Sequence, residues 1–127
     1  MGNERWTLLL VDDEPVVLQL VANRLISHGY TVFTAGSAPL ADPILVREKP
    51  HLVVCDVVMP GMSGSQLVAY LRATRDNLRV LYMSGFTEDA VVHHGVASGE
   101  YFLSKPFTPA DLAHKVREVL GVTGDLI

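Results

Sequence analysis

Leu52-Val53-Val54-Cys55-Asp56-Val57-Val58-Met59-Pro60-Gly61 is the stretch on which the architecture of this chain turns. Four apolar residues run straight into an aspartate, and a Pro-Gly pair follows soon after. A continuous apolar run with β-branched side chains reads as a parallel strand buried on both faces. The Pro-Gly pair ends regular structure and puts Asp56 near the strand's carboxyl end. Ligands of open α/β sheets bind just outside those carboxyl ends. A charged residue at that rim is a candidate for chemistry, although taken alone it could simply begin a turn.

On either side the chain alternates between strand and helix signals. Thr7 to Val11 is a first apolar run, ending in Asp12-Asp13-Glu14-Pro15. Val17, Leu20, Val21 and Leu25 then recur at helical spacing, and His28-Gly29 closes that helix. Thr31 to Ala35 is a second strand, weakly alternating and suited to an edge. Ser37 to Pro50 should hold the second helix, yet Pro39 and Pro43 both fall in it. Asp42 as cap with Pro43 as first helical residue predicts a shortened or displaced helix. Ser63 and Gln66 fit a capping box that opens a third helix, to about Arg75. Arg79 to Met83 is a fourth strand and runs into Ser84-Gly85. Glu88 to Ser98 predicts a weak fourth helix with Gly95 inside it. His93 and His94 within it are neighbours, so they face different directions and cannot chelate as an i, i+4 pair would. Tyr101 to Ser104 is a fifth strand, ended by Lys105-Pro106. Thr108, Pro109 and Asp111 supply the cap, first-position proline and third-position acid of a last helix. Leu112, Val116, Val119 and Leu120 form its buried stripe.

Five strands alternating with five helices predict an α/β sandwich of three layers, a parallel five-stranded sheet with helices on both faces. Right-handed crossovers leave few windings. The flavodoxin-like order 2-1-3-4-5 sets strands one and three side by side at the switch point. A length of 127 residues predicts one domain, 1–127, with its core from about 7 to 120 and short tails.

Composition narrows the function. Apolar residues make up 49% and charged residues 19%, as in an ordinary globular protein. A formal charge of −4 argues against a nucleic-acid surface, which needs clustered Lys and Arg. The one cysteine cannot form an internal disulfide, and Cys55 in the core strand reads as a small buried hydrophobe in a reducing compartment. No apolar run approaches the roughly 18 residues of a membrane helix, and the first residues do not read as a signal peptide. The expectation is a cytoplasmic protein that meets neither nucleic acid nor membrane directly. No glycine-rich phosphate loop follows the first strand, which counts against a nucleotide fold.

In the flavodoxin-like order Asp12, Asp13 and Asp56 converge at one edge, with Ser84 arriving from strand four and Lys105 from strand five. Three crowded carboxylates repel and raise one another's pKa. A divalent cation removes the conflict; Mg²⁺ suits the site, with Mn²⁺ as the alternative, because it takes few carboxylates and keeps positions for water and phosphate oxygens. Lys105 is a point charge suited to a phosphoryl oxygen, and the Ser84 hydroxyl can donate to another. A carboxylate can itself attack phosphorus and become an aspartyl phosphate. Each position has a plainer explanation when taken singly: Asp13 a helix cap, Ser84 a turn start, Lys105 a solvated strand end. Their coincidence at successive strand ends is what points to chemistry.

Asp12-Asp13, Asp56 with Met59-Pro60-Gly61, Ser84-Gly85 and Lys105-Pro106-Phe107 together resemble the response-regulator receiver family, from Thr7 to Leu120. The resemblance implies that Asp56 takes a phosphoryl group from a histidine kinase or a histidine phosphotransfer protein. It implies that Asp12 and Asp13 hold Mg²⁺ with Asp56 and the backbone carbonyl of Val58. Ser84 and Lys105 would bind the phosphoryl group, and Ser84 and Phe102 would relay the switch. An output protein or relay partner would meet the face of the fourth helix, fifth strand and last helix. The tracts Val80 to Gly85 and Phe102 to Pro109 look most like receivers attached to hybrid sensor kinases. Phe102 departs from the switching tyrosine many receivers carry, with Tyr101 beside it. Val58 and Phe86 flank the water's approach in receivers, and neither can hydrogen-bond it, so a slowly decaying phosphorylated state is expected. On this reading the chain is no enzyme beyond its own phosphoryl transfer and slow hydrolysis. The competing readings are a small phosphatase-like enzyme with a nucleophilic aspartate, which would want a general acid where Val58 stands, and an interaction domain that is never phosphorylated.

Overall fold

The structure is a computed structural model, and it describes residues 6–57, 64–73, 78–85 and 100–121. In chain order the elements are β1 (Thr7–Val11), α1 (Pro15–Ser27), β2 (Thr31–Ala35), α2 (Ala38–Glu48) and β3 (Leu52–Asp56). They continue with α3 (Gly64–Arg72), β4 (Arg79–Ser84), β5 (Tyr101–Ser104) and α4 (Pro109–Leu120), the last of the described helices. The strands form one parallel sheet in the order β2-β1-β3-β4-β5. This is the expected flavodoxin-like winding.

Burial explains why β3 reads as an unbroken apolar run. All five of its residues are buried. Leu52 and Val54 pack on one side with Leu8, Leu25, Leu112 and Val116. Val53 and Cys55 pack on the other with Leu9, Leu45, Leu67 and Leu71. Helices α1 and α4 thus cover one face, α2 and α3 the other, and neither face of the strand has a use for a polar side chain. Each fully buried leucine contributes roughly 1.5–3 kcal/mol from the area it removes from water. Strand β2 lies at the edge, as its weaker pattern suggests.

Helix α4 is built as the sequence predicts. The Asp111 N–H donates to Thr108 Oγ1 at 3.0 Å, and the Thr108 N–H donates to Asp111 Oδ2 at 3.1 Å. Gly121, at φ 74°, ends the helix in the left-handed region that only glycine adopts without strain. Leu112, Val116, Val119 and Leu120 are buried, joined by Ala113.

Three expectations are corrected. Helix α2 is neither shortened nor displaced: it begins at Ala38, with Ser37 and not Asp42 at the N-cap, and it runs through Pro43 to Glu48. Pro43 has no N–H to offer the Pro39 carbonyl, so one helical bond is missing, but its ring lies on the exposed side. Burial of Ala38, Ala41 and Leu45 against the sheet holds the helix together despite that loss. Leu20 does not belong to the buried stripe of α1; it is 65% exposed, while Val21, Ala22 and Leu25 face the core. Helix α3 ends at Arg72, short of the expected Arg75. The capping Ser63 and the helix expected over 88–98, with its two histidines, lie outside the described residues. Among the described residues no helix is long and apolar enough to cross a membrane.

Candidate functional site

The site is assembled where β1, β3, β4 and β5 end. Asp12 directly follows β1 and is fully buried. Its N–H donates to the Ala35 carbonyl at 3.2 Å, and its Oδ1 accepts from the Glu14 N–H at 2.9 Å, the turn that starts α1. Asp13, next in sequence, is exposed. Asp56 ends β3 and retains 9% exposure, and the adjoining Val57 N–H donates to the Met83 carbonyl at 3.0 Å. Ser84 ends β4, is buried, and through its carbonyl accepts the Lys105 N–H at 2.7 Å. That backbone bond brings Lys105 from β5 to the same rim.

The Lys105 ammonium is shared. It lies 3.2 Å from Asp12 Oδ2, 3.7 Å from Asp56 Oδ2 and 3.8 Å from Glu14 Oε1. Among the described residues one cation faces these acids and Asp13, so the rim carries excess negative charge beside a buried wall. Burial pushes the Asp56 carboxyl up to about 6; Lys105 pulls it back, while Asp12 and Asp13 push it further. The expected mutual repulsion is present, and loss of water outweighs it.

Asp12, Asp13 and Asp56 each offer a carboxylate oxygen, and these oxygens lie within 4.8 Å of one another. An octahedral ion with bonds of about 2.1 Å is spanned by such a set, with water completing its shell. An all-oxygen donor set and an unbalanced charge fit Mg²⁺ or Mn²⁺ and disfavour softer metals. Val58, whose carbonyl was expected to complete the site, lies outside the described residues, as does Phe86. Phe102 is half-buried against Val57, Val68, Val80 and Tyr82, and Tyr101 beside it is exposed. Cys55 is fully buried and its Sγ lies 3.4 Å from the Asp56 carbonyl oxygen; burial first, then Asp56 and Asp12, raise its thiol pKa far above the ordinary range.

Sequence reasoning passed over two features. Glu14 joins the acids around Lys105, and its signal was its place in the run Asp12-Asp13-Glu14. A groove of about 620 Å³ also opens beside the site, lined by Val17, Leu20, Val21, Lys105, Phe107 and Leu112 among others. Val16, 70% exposed, and Leu20 extend it as an apolar surface along α1.

Comparison with known proteins agrees with this geometry. The family described as "Response regulator receiver domain" matches residues 8–117. The Brucella abortus protein named sensor kinase CckA is 39% identical over 90% of this chain, which spans 12% of that protein. The Mycobacterium tuberculosis probable transcriptional regulatory protein TcrX is 35% identical over 93% of this chain, which spans 51% of it. Among solved structures, the Vibrio cholerae chemotaxis protein CheY4 superposes with a TM-score of 0.82 at 28% identity, covering 90% of this chain and 98% of that one. A sheet wound in this order, an acidic rim answered by Lys105, and a family match over most of the length lead to one assignment: the chain belongs to the response regulator receiver family.

Proposed function

We propose that this receiver is a phosphorylation-driven switch or relay module whose acceptor is Asp56. The single observation that carries the reading is a partly accessible carboxylate, 3.7 Å from a lysine, beside two further aspartates able to share a metal. An Asp56 oxygen attacks the phosphorus of a phosphohistidine on a kinase or phosphotransfer protein. The P–N bond breaks, its electron pair stays on the imidazole nitrogen, and an acyl phosphate forms on Asp56. Mg²⁺, when bound, supplies positive charge against the phosphoryl oxygens. Lys105 turns its ammonium to those same oxygens, and the buried Ser84 hydroxyl stands at the neighbouring strand end to bond another.

The apolar groove favours a protein donor over a small ester. Lys105 belongs both to the groove and to the acidic site, so a helix seated along Val16 and Leu20 would present its phosphohistidine directly to Asp56. Output would leave by the face of β5 and α4. The chain then acts catalytically only on itself.

Incubation with acetyl phosphate and Mg²⁺, followed by intact mass measurement, tests this. The expected result is a gain of one phosphoryl group, absent without Mg²⁺ and absent in Asp56→Asn. Sustained turnover would mark an enzyme, and no gain at all would mark a domain that works unphosphorylated.

A further inference from the structure

Strand β5 has four residues and, among the described residues, pairs only with β4. It is held at both ends by charge. At its carboxyl end the Lys105 ammonium lies 3.2 Å from Asp12. At its amino end stands Glu100, gripped by Arg72 from the end of α3. Nη1 of Arg72 donates to Glu100 Oε2 at 2.6 Å and Nη2 donates to Oε1 at 3.3 Å. The same Nη2 also reaches the Leu78 carbonyl at 3.4 Å, one residue ahead of β4. Both side chains are shielded from water, with 34% and 19% exposure. Arg72 therefore gathers the entries of β4 and β5, whose far ends carry Ser84 and Lys105.

An extended strand rises about 3.3 Å per residue and cannot stretch. A pull on Lys105 along the strand therefore reaches Glu100, and it passes Phe102, which lies on the same face two residues away. In the structure Lys105 rests towards Asp12. A phosphoryl group on Asp56 would add anionic oxygens and draw the ammonium off Asp12 towards them. A two-pronged guanidinium–carboxylate contact is strict in its geometry, so a small displacement weakens it. Resting on the phosphoryl-switch reading above, we propose that the Arg72–Glu100 pair is the counter-anchor of β5, holding the strand and Phe102 in the resting position against the pull of the occupied site. An interaction made more strongly at rest biases the equilibrium to rest, and a ligand of the switched state binds more weakly because of it.

Beryllofluoride with Mg²⁺ serves as the phosphoryl mimic, titrated calorimetrically into wild type, Glu100→Gln, Arg72→Gln and Arg72→Lys, with thermal midpoints measured alongside. The two neutralising variants should melt lower yet bind beryllofluoride about five- to tenfold tighter. Arg72→Lys keeps the charge but not the fork and should fall between them and wild type; it carries the comparison alone if a neutralising variant does not fold. A lower midpoint with unchanged or weaker binding makes the pair merely structural and overturns the proposal while leaving the switch reading intact. A wild-type protein that binds no beryllofluoride overturns the switch reading, and the counter-anchor with it.

Discussion

The two strands that carry Asp56 and Lys105 to the rim differ in almost every respect. Strand β3 is buried at every residue and flanked by β1 and β4. Strand β5 has one buried residue, Leu103, and one neighbouring strand among the described residues. Asp56 is thus set at the end of a fully buried central strand, and Lys105 beyond one with little packing to hold it. For a switch this division is useful. On the proposed reading, the oxygen that must attack phosphorus in line keeps its place, and the charge that responds can move without disturbing the core.

Truncation should expose that contrast most plainly. Leu52→Ala, in a fully buried position of β3, should cost about 2–5 kcal/mol, and Tyr101→Ala, 41% exposed on β5, less than about 1 kcal/mol. Urea unfolding of both variants measures this, and equal losses would break the comparison.

The next effect concerns the charge at the end of β3. A carboxyl held at about 6 when folded and near its ordinary value when unfolded binds more protons in the native state between those two pH values. Stability therefore falls as pH rises from about 4 to 6, and above that window the metal-free protein carries the full cost of a buried anion. In EDTA at pH 7.5, Asp56→Asn should be more stable than wild type by about 1–3 kcal/mol, converging with it below about pH 4. Millimolar Mg²⁺ should raise the wild-type midpoint and leave the variant nearly unmoved. Denaturant midpoints at the two pH values, with and without metal, decide it; a variant no more stable than wild type at pH 7.5 would show that the charge is not costly.

A smaller effect separates the protein donor from the chemistry. Leu20→Asp places a charge on the apolar groove beside Lys105 without entering the core. It should slow phosphoryl transfer from a histidine phosphotransfer partner about tenfold, the equivalent of about 1.4 kcal/mol, and leave labelling by acetyl phosphate at the wild-type rate. Equal slowing of both reactions would place Leu20 in the site's own machinery.

What could be read from the sequence follows the same division between local and non-local causes. The strands were legible because burial on both faces demands runs such as Leu52 to Cys55, and because a polar residue, Asp12, Asp56, Ser84 or Lys105, ends each run that reaches the site. The acidic rim followed from winding rules alone. Helix α2 was misread because a missing bond at Pro43 is a local fact, whereas the burial of Ala38, Ala41 and Leu45 that outweighs it belongs to the sheet. Leu20 was misread because Leu20 and Val21 both fit an apolar helix, and only the position of the segment around Phe107 tells which one faces the core. The Arg72–Glu100 contact joins residues 28 apart in sequence and had no local signal at all.

Cys55 gives this chain a gauge of its own opening. It is the one cysteine in the sequence, it sits in the central strand with no exposed surface, and its thiolate is suppressed. A thiol reagent can reach it only when β3 is torn from its neighbours, so the labelling rate under native conditions counts whole-molecule opening events and ignores fluctuations of β5. For the same reason a cysteine introduced at an exposed position such as Tyr70 would take a dye or spin label selectively, without removing the native thiol.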